Sequence, residues 1–345
     1  MIRTRDLTKD FVVGRAGTVH AVRGISLDIE AGELVAVLGP NGAGKTTTMR
    51  MLTTLLEPTA GTATVAGHDV VAHSATVRSL IGYVGQGNGA GHQQRAVDEL
   101  VSQGLIYGLD RRAARRRAGE LLDALDLAEL ATRKVSSLSG GQRRRLDVAM
   151  GLVHHPSLLF LDEPSTGLDP HNRANLWEHI LQMRERAGRR SGPPMTIMLT
   201  THYLDEADAM AGRVVVVDHG EVIADDTAEA LKSELAGDRV EVGTDDPTRA
   251  GELAALVERL PGGRDVLIVG GPVGGTTGAT VTGRVADGPR ALPELLRAAD
   301  RVGLTVVTAQ VRRPTLDDVF LSLTGRSLRE SDRTDGAGKT QGQAA

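Results

Sequence analysis

The sequence contains no cysteine. Disulfides and thiolate metal sites are therefore excluded, and a reducing compartment such as the cytoplasm is expected. Aromatic residues make up only 2 % of the 345-residue chain, with three phenylalanines, three tyrosines and one tryptophan. The core must be built from Leu, Val, Ile and Ala. No apolar run approaches the roughly 18 residues that a membrane-crossing helix needs. The start, Met1 to Asp6, lacks the apolar stretch of a signal peptide, so none is expected. Basic charge is not in excess either: 40 Lys+Arg face 44 Asp+Glu, and no nucleic-acid partner is expected. No H-E-x-x-H or comparable ligand spacing occurs.

What is present is a phosphate loop. Gly39-Pro40-Asn41-Gly42-Ala43-Gly44-Lys45-Thr46 fits G-x-x-x-x-G-K-[ST] at every fixed position. The apolar run Leu34–Leu38 before it reads as a buried parallel strand, and Thr46–Leu52 after it as an amphipathic helix. Glycines let the backbone curl around an anion, and free N–H groups at the helix start point at it. Lys45 adds a mobile charge for the β/γ-phosphates, Thr46 offers a hydroxyl to Mg²⁺, and Thr47 continues the cradle. A look-alike, Gly336-Ala337-Gly338-Lys339-Thr340, has Arg333 where the first glycine belongs and no strand before it.

Along the chain, Ile2–Leu7 and Ile25–Ile29 read as strands, the second alternating apolar and polar residues. Phe11 is either a filler of a small core or a ring stacked on a nucleotide base. Pro58–Gly61 reads as a turn, Thr62–Val65 as a strand, and Arg78–Gln86 as a buried strand ending in glutamine. Residues 95–132 are helical in pattern and carry the basic run Arg111-Arg112-Ala113-Ala114-Arg115-Arg116-Arg117. That run is either a solvated face or a contact with acidic lipid headgroups or a partner.

Leu138-Ser139-Gly140-Gly141-Gln142 opens a helix, with Ser139 as N-cap, and forms a second anion-binding geometry. His154-His155 are expected to cap that helix at its far end. Leu158–Leu161 is a buried strand delivering Asp162 and Glu163 at its carboxyl end, where open α/β sheets bind ligands. Met195–Thr201 is another such strand, ending at His202. Val214–Val217 and Glu221–Ala224 read as a closing hairpin. From about residue 238 the order β-α-β-β-α-β predicts a ferredoxin-like sandwich, with Gly270–Gly278 as a loop. Thr315 and Asp318 open a last helix, Leu316–Leu323, and residues 325–345 read as a disordered tail.

These pieces converge on ATP hydrolysis. Lys45 and backbone N–H groups neutralise phosphate oxygens, Thr46 and Asp162 hold Mg²⁺, and Glu163 orients or deprotonates water. His202 is within the same constellation as a γ-phosphate partner.

Gly39–Thr46, Gln86, Leu138–Gln142, Leu158–Glu163, Ser165–Asp169 and His202 resemble, in order, the phosphate loop, Q-loop, signature, Walker B, D-loop and switch histidine of ABC transporter ATPase subunits. The segment Arg313–Phe320 is similar to the C-terminal extension of daunorubicin-resistance-type drug-export ATPases. The resemblance implies a P-loop α/β core with an antiparallel β subdomain and a helical subdomain near 87–155. The expected cassette spans residues 1–230, and a small α+β domain spans 238–324. It further implies ATP and Mg²⁺ as cofactors, with no other metal, Gln86 beside Thr46 and Asp162 at the metal, and Asp169 at the nucleotide. Two subunits would pair head to tail, Ser139 and Gly141 of one closing on the γ-phosphate held by Lys45 of the other. A separate integral membrane permease would be driven from the cytoplasmic face of the cell membrane. The drug or antibiotic exporter is the expected system; an importer subunit and a soluble ATPase of non-transport function are the alternatives.

Overall fold

The structure, a computed structural model, describes residues 1–14, 17–87, 89–191, 193–273 and 276–324. The expected tail and the look-alike within it lie outside the described residues. The chain divides into two compact units, Met1–Asp225 and the part from Asp226 onward.

In the first unit, β1 (Ile2–Val12), β2 (Thr18–Ile25) and β3 (Asp28–Ile29) precede β4 (Leu34–Leu38) and α1 (Lys45–Leu52). Next come β5 (Ala60–Val65), β6 (His68–Asp69), α2 (Ser74–Leu80) and β7 (Ile81–Val84). The helices α3 (Ala96–Ile106), α4 (Arg111–Ala124) and α5 (Gly140–Leu152) follow. The unit finishes with β8 (Leu158–Asp162), α6 (Pro170–Ser191), β9 (Thr196–Thr201), α7 (Leu204–Met210), β10 (Arg213–Asp218) and β11 (Glu221–Asp226).

Among the described residues one sheet runs β11-β10-β4-β9-β8-β7, and β10, β4, β9, β8 and β7 are parallel. All five residues of β4 and of β8 are buried, as continuous apolar runs covered on both faces must be. A second, antiparallel sheet has the order β2-β1-β5-β6, with β3 also on β1. The apolar cluster between them is aliphatic apart from Phe160. Each fully buried Leu, Ile or Val there contributes about 1.5–3 kcal/mol.

Several local expectations are corrected. Arg78–Leu80 belongs to α2, and the strand is only Ile81–Val84. No Gly or Pro punctuates the apolar join Leu80–Ile81, so periodicity ran the two elements together. β1 extends to Val12 through a hairpin with β2, and Ile25 and Ile29 end up on separate strands. Phe11, paired with Val19 at the hairpin end, is 38 % exposed and does not fill a core. His154 is not a cap. Its Nε2 donates to Ile81 O at 3.0 Å and its ring stacks on Tyr107 at 3.7 Å. α5 ends at Leu152, and the His155 amide, at a left-handed φ of 56°, donates to the Leu152 carbonyl at 3.2 Å.

In the second unit, after the short α8 (Ala228–Leu231), come β12 (Asp238–Thr244), α9 (Ala250–Glu258), β13 (Arg264–Val273) and β14 (Thr276–Val285). α10 (Gly288–Arg301), β15 (Thr308–Arg312) and α11 (Leu316–Thr324) complete it. The sheet order β13-β14-β12-β15, antiparallel throughout, is that of a ferredoxin-like sandwich. Its core joins Val240, Val242 and Val281 of the sheet to Leu253, Val257 and Leu295 of the helices. The pairing of β13 with β14 continues out to Val273 and Thr276, so most of the expected loop over Gly270–Gly278 is strand. Cross-strand pairing overrides the weak strand propensity of glycine there. Thr315 caps α11 as expected: its Oγ1 accepts from the Asp318 backbone N–H at 3.3 Å, while its own N–H donates back to Asp318 Oδ2 at 2.9 Å.

Candidate functional site

Strand register builds the site. Leu38 of β4 pairs with Thr201 of β9, and Thr200 pairs with Asp162 of β8. The carboxyl ends of three parallel strands therefore stop within a residue of one another. The loop after β4 leads into α1 through Gly44, whose φ is 101°. A β-carbon there would stand 2.5 Å from Ala21 O, and one on Gly39 only 2.1 Å from Val217 O. The loop is thus pressed against β2 and β10, and only glycine fits at both places. Gly39, Pro40, Ala43, Gly44 and Lys45 are buried, Thr46 and Thr47 half-buried, and Asn41 and Gly42 exposed. Lys45 Nζ donates to the loop carbonyls of Gly39 at 2.7 Å and Pro40 at 3.0 Å.

Thr46, at the start of α1, reaches across to β8. Its Oγ1 donates to Asp162 Oδ1 at 3.0 Å and accepts from Gln86 Nε2 at 3.2 Å. Thr200 Oγ1 donates to the same Oδ1 at 2.6 Å, and the Glu163 amide donates to Thr200 Oγ1 at 3.1 Å. One chain of hydrogen bonds therefore runs from Gln86 through Thr46, Asp162 and Thr200 to Glu163. Asp162 is fully buried, yet its Oδ2 has no hydrogen-bond partner among the described residues. A buried acceptor left alone costs about 1–3 kcal/mol. A hard-oxygen donor set of carboxylate, hydroxyl and amide is of the kind that suits a magnesium ion.

Glu163 follows β8 with a left-handed φ of 48°. Its Oε2 lies 3.4 Å from His202 Nδ1 and accepts from Thr166 Oγ1 at 3.2 Å. The His202 hydrogen bond is the main cause that holds its carboxyl below the ordinary glutamate value, assisted by Lys45 and opposed by burial. The carboxylate form, the one able to take a proton, therefore prevails at neutral pH.

The signature residues form a second group. Ser139 caps α5: the Gln142 amide donates to its Oγ at 3.3 Å, and its own amide donates to Gln142 Oε1 at 3.0 Å. Ser139 and Gly140 are exposed, and Gly141 is buried. Asp169 accepts from the Asn172 amide at 3.0 Å and from its side chain at 2.6 Å, which holds its carboxyl below the ordinary value. The held Asn172 side chain then fills the space beside Gly141.

Residues not foreseen connect the groups. Arg144, one turn into α5 and buried, donates to the carbonyls of Pro164 and Gly85 at 2.6 Å and of Asp162 and Glu163 at 3.3 Å. Sequence hides it among Arg143 and Arg145. Thr200 was legible only as a hydroxyl inside a buried strand. Glu206, 4 % exposed, accepts from Thr201 Oγ1 at 3.0 Å and from Ser165 Oγ. It ties the turn after β9 to the turn after β8.

A family model described as ABC transporter matches residues 22–166. The chain is 42 % identical over 323 residues to the daunorubicin resistance ATP-binding protein DrrA3 of Streptomyces coeruleorubidus, covering 94 % of this chain and 97 % of that one. It is 38 % identical over 309 residues to the doxorubicin resistance ATP-binding protein DrrA of Mycobacterium tuberculosis H37Rv, covering 89 % of each. Among solved structures, cbiO1 from Clostridium perfringens, part of the ABC transporter complex cbiONQ, aligns with a TM-score of 0.60 at 26 % identity, over 68 % of this chain and 90 % of that one. The dimeric bacterial ABC transporter cassette MJ0796 aligns at 0.59 and 24 %, over 66 % and 98 %, and shares the fold.

Proposed function

We propose, from the premise that this chain belongs to the ABC transporter ATP-binding family, that it is the ATPase subunit powering export of a hydrophobic drug or antibiotic through a separate membrane permease. Residues 1–230 form the cassette and 238–324 an accessory domain. The observation that carries the reading is the linkage of Thr46 to Asp162 at 3.0 Å, with an unpartnered carboxylate oxygen beside it.

Each site residue then has a role. Gly39 to Thr47 wrap the phosphates, and Lys45 leaves its loop carbonyls for β/γ oxygens. Thr46, Gln86 and Asp162 hold Mg²⁺, which when bound neutralises charge on the β- and γ-phosphates. Glu163 accepts a proton from water as the water oxygen bonds to the γ-phosphorus and the bond from that phosphorus to the bridging oxygen of ADP breaks, releasing ADP and inorganic phosphate. His202 keeps Glu163 ionised and donates to the γ-phosphate. The Phe11 ring, already exposed, stacks on the base.

Ser139, Gly140, Gly141 and Gln142 face the γ-phosphate held by the partner subunit, and Asp169 lines the same junction. Neither site is complete in one copy, so ATP joins a head-to-tail homodimer and hydrolysis releases it. Among the described residues no helix is long and apolar enough to cross a membrane. As an ATPase subunit of a transporter, the pair works at the cytoplasmic face of the cell membrane, held by the permease.

The test is Glu163→Gln. It should retain ATP binding, slow turnover by about 10²–10⁴ and trap an ATP-bound dimer on a sizing column. Unchanged turnover removes the role of Glu163; a monomer with ATP bound removes the shared site.

A further inference from the structure

The basic run of the helical subdomain is divided by the fold. α3 and α4 are joined by Tyr107–Asp110 and pack closely: a β-carbon on Gly104 would stand 3.0 Å from that of Ala114. Asp110 caps α4 by accepting from the amides of Arg112 and Ala113 at 2.8 Å. Arg117 turns inward, donating to Leu152 O at 2.9 Å and Val153 O at 3.3 Å. Arg111, Arg112, Arg115 and Arg116 remain exposed. Arg116 stands 3.9 Å from Glu120, a solvated pair. The side chains of Arg111, Arg112 and Arg115 make no ion pair or hydrogen bond among the described residues.

This cluster opposes the stability of its own helix. Arg111 and Arg112 sit in the first turn, where the dipole favours anions. Arg111 and Arg115, like Arg112 and Arg116, are like charges four apart, which destabilise a helix. Apart from the Arg116–Glu120 pair and the Asp110 cap, no carboxylate among the described residues offsets this charge, so an anion from outside the chain would stabilise the arrangement. At the same tip Ile106 is 77 % exposed and Leu105 45 %. A nucleic acid would satisfy the arginines and leave these two side chains in water. A bilayer interface takes both, headgroup phosphates for the cations and the acyl boundary for the apolar pair.

We propose that the tip of the α3–α4 hairpin is a lipid-contacting element: Arg111, Arg112, Arg115 and Arg116 bind anionic phospholipid headgroups while Leu105 and Ile106 enter the interface. The chain thus holds a membrane contact of its own, additional to the permease. This deepens the membrane-coupled reading above and rests on it.

The experiment uses the purified full chain and vesicles without permease. It should co-sediment with phosphatidylcholine vesicles containing phosphatidylglycerol, not with phosphatidylcholine alone, and high salt should release it. Replacing the four arginines by glutamine should weaken this binding at least about tenfold. Ile106→Asp should weaken it several-fold. Both variants should keep their helical circular dichroism and ATPase rate.

Equal binding to the two vesicle types, or no binding by the unaltered chain, overturns the proposal whatever the variants do. So does a four-arginine variant that binds vesicles like the parent but no longer co-purifies with a permease, because the cluster would then face an acidic protein. Retained permease capture by a chain that ignores vesicles would leave the transporter reading standing and remove only this one.

Discussion

Nδ1 of His202 lies 3.4 Å from Oε2 of Glu163, and the pair joins the end of β9 to the end of β8. The histidine is the first cause of the lowered Glu163 pKa. A depressed carboxylate contributes stability that is fully present above the ordinary glutamate value of 4.5 and is lost as pH falls through the folded value. The acid limb of kcat/KM, which reports the free enzyme, should therefore lie below pH 4.5 in the unaltered protein. In His202→Gln it should move upward, toward that ordinary value. A pH–rate profile checks this; an unmoved limb would show that His202 does not set the ionisation of Glu163.

Gly141 and Asn172 make a second testable contact. A β-carbon at Gly141 would stand 2.7 Å from Asn172 Oδ1 and 2.8 Å from its Cγ, and Asn172 is held by Asp169. Gly141→Ala should cost about 1–3 kcal/mol of unfolding free energy, the usual penalty of overpacking. Adding Asn172→Ala should restore most of it. Urea unfolding of the single and double variants measures the recovery, and strict additivity would mean the clash is not relieved there.

Arg144 gathers four carbonyls, from Gly85, Asp162, Glu163 and Pro164. Lysine offers a point charge in place of a planar fork and cannot reach all four. Arg144→Lys should therefore lower stability by about 2–4 kcal/mol. It should also reduce ATPase activity by loosening Asp162 and Glu163. A shift in urea midpoint without change in slope, together with a fall in kcat, is the expected signature.

His154 carries a pH dependence of opposite origin. Burial against Tyr107 pushes its pKa down to about 4 from 6.5. The unfolded chain takes up a proton that the folded chain refuses, so stability falls as pH drops from 6.5 toward 4. The full loss is on the order of 3 kcal/mol. His154→Gln should flatten this slope, read as the difference in unfolding free energy between pH 7 and pH 4.5. An equal slope in both proteins would mean that other groups drive the acid loss.

Much of the site was legible because its motifs are local. Gly39–Thr46 carries its strand and helix on either side, and Leu158–Asp162 ends in a carboxylate, with Glu163 next. The β-α-β-β-α-β order of the second unit is likewise a property of successive short segments. Arg144 was not legible, since nothing in Arg143-Arg144-Arg145 says which guanidinium turns inward. The Arg78–Leu80 helix failed for a related reason: an apolar run without a break has the same look in either state.

The linear order of residues determined which chemistry this protein carries, because glycine, lysine and paired carboxylates at those spacings have few other uses. Only the tertiary structure decided how the parts touch: that Thr200, from a third strand, hydrogen-bonds Asp162, and that Asn172 occupies the space beside Gly141. Strand register and helix packing bring together positions far apart in the chain, 116 residues in the case of Thr46 and Asp162. Periodicity reports which face of an element is buried, and the neighbour that buries it is chosen by the packing of the whole domain.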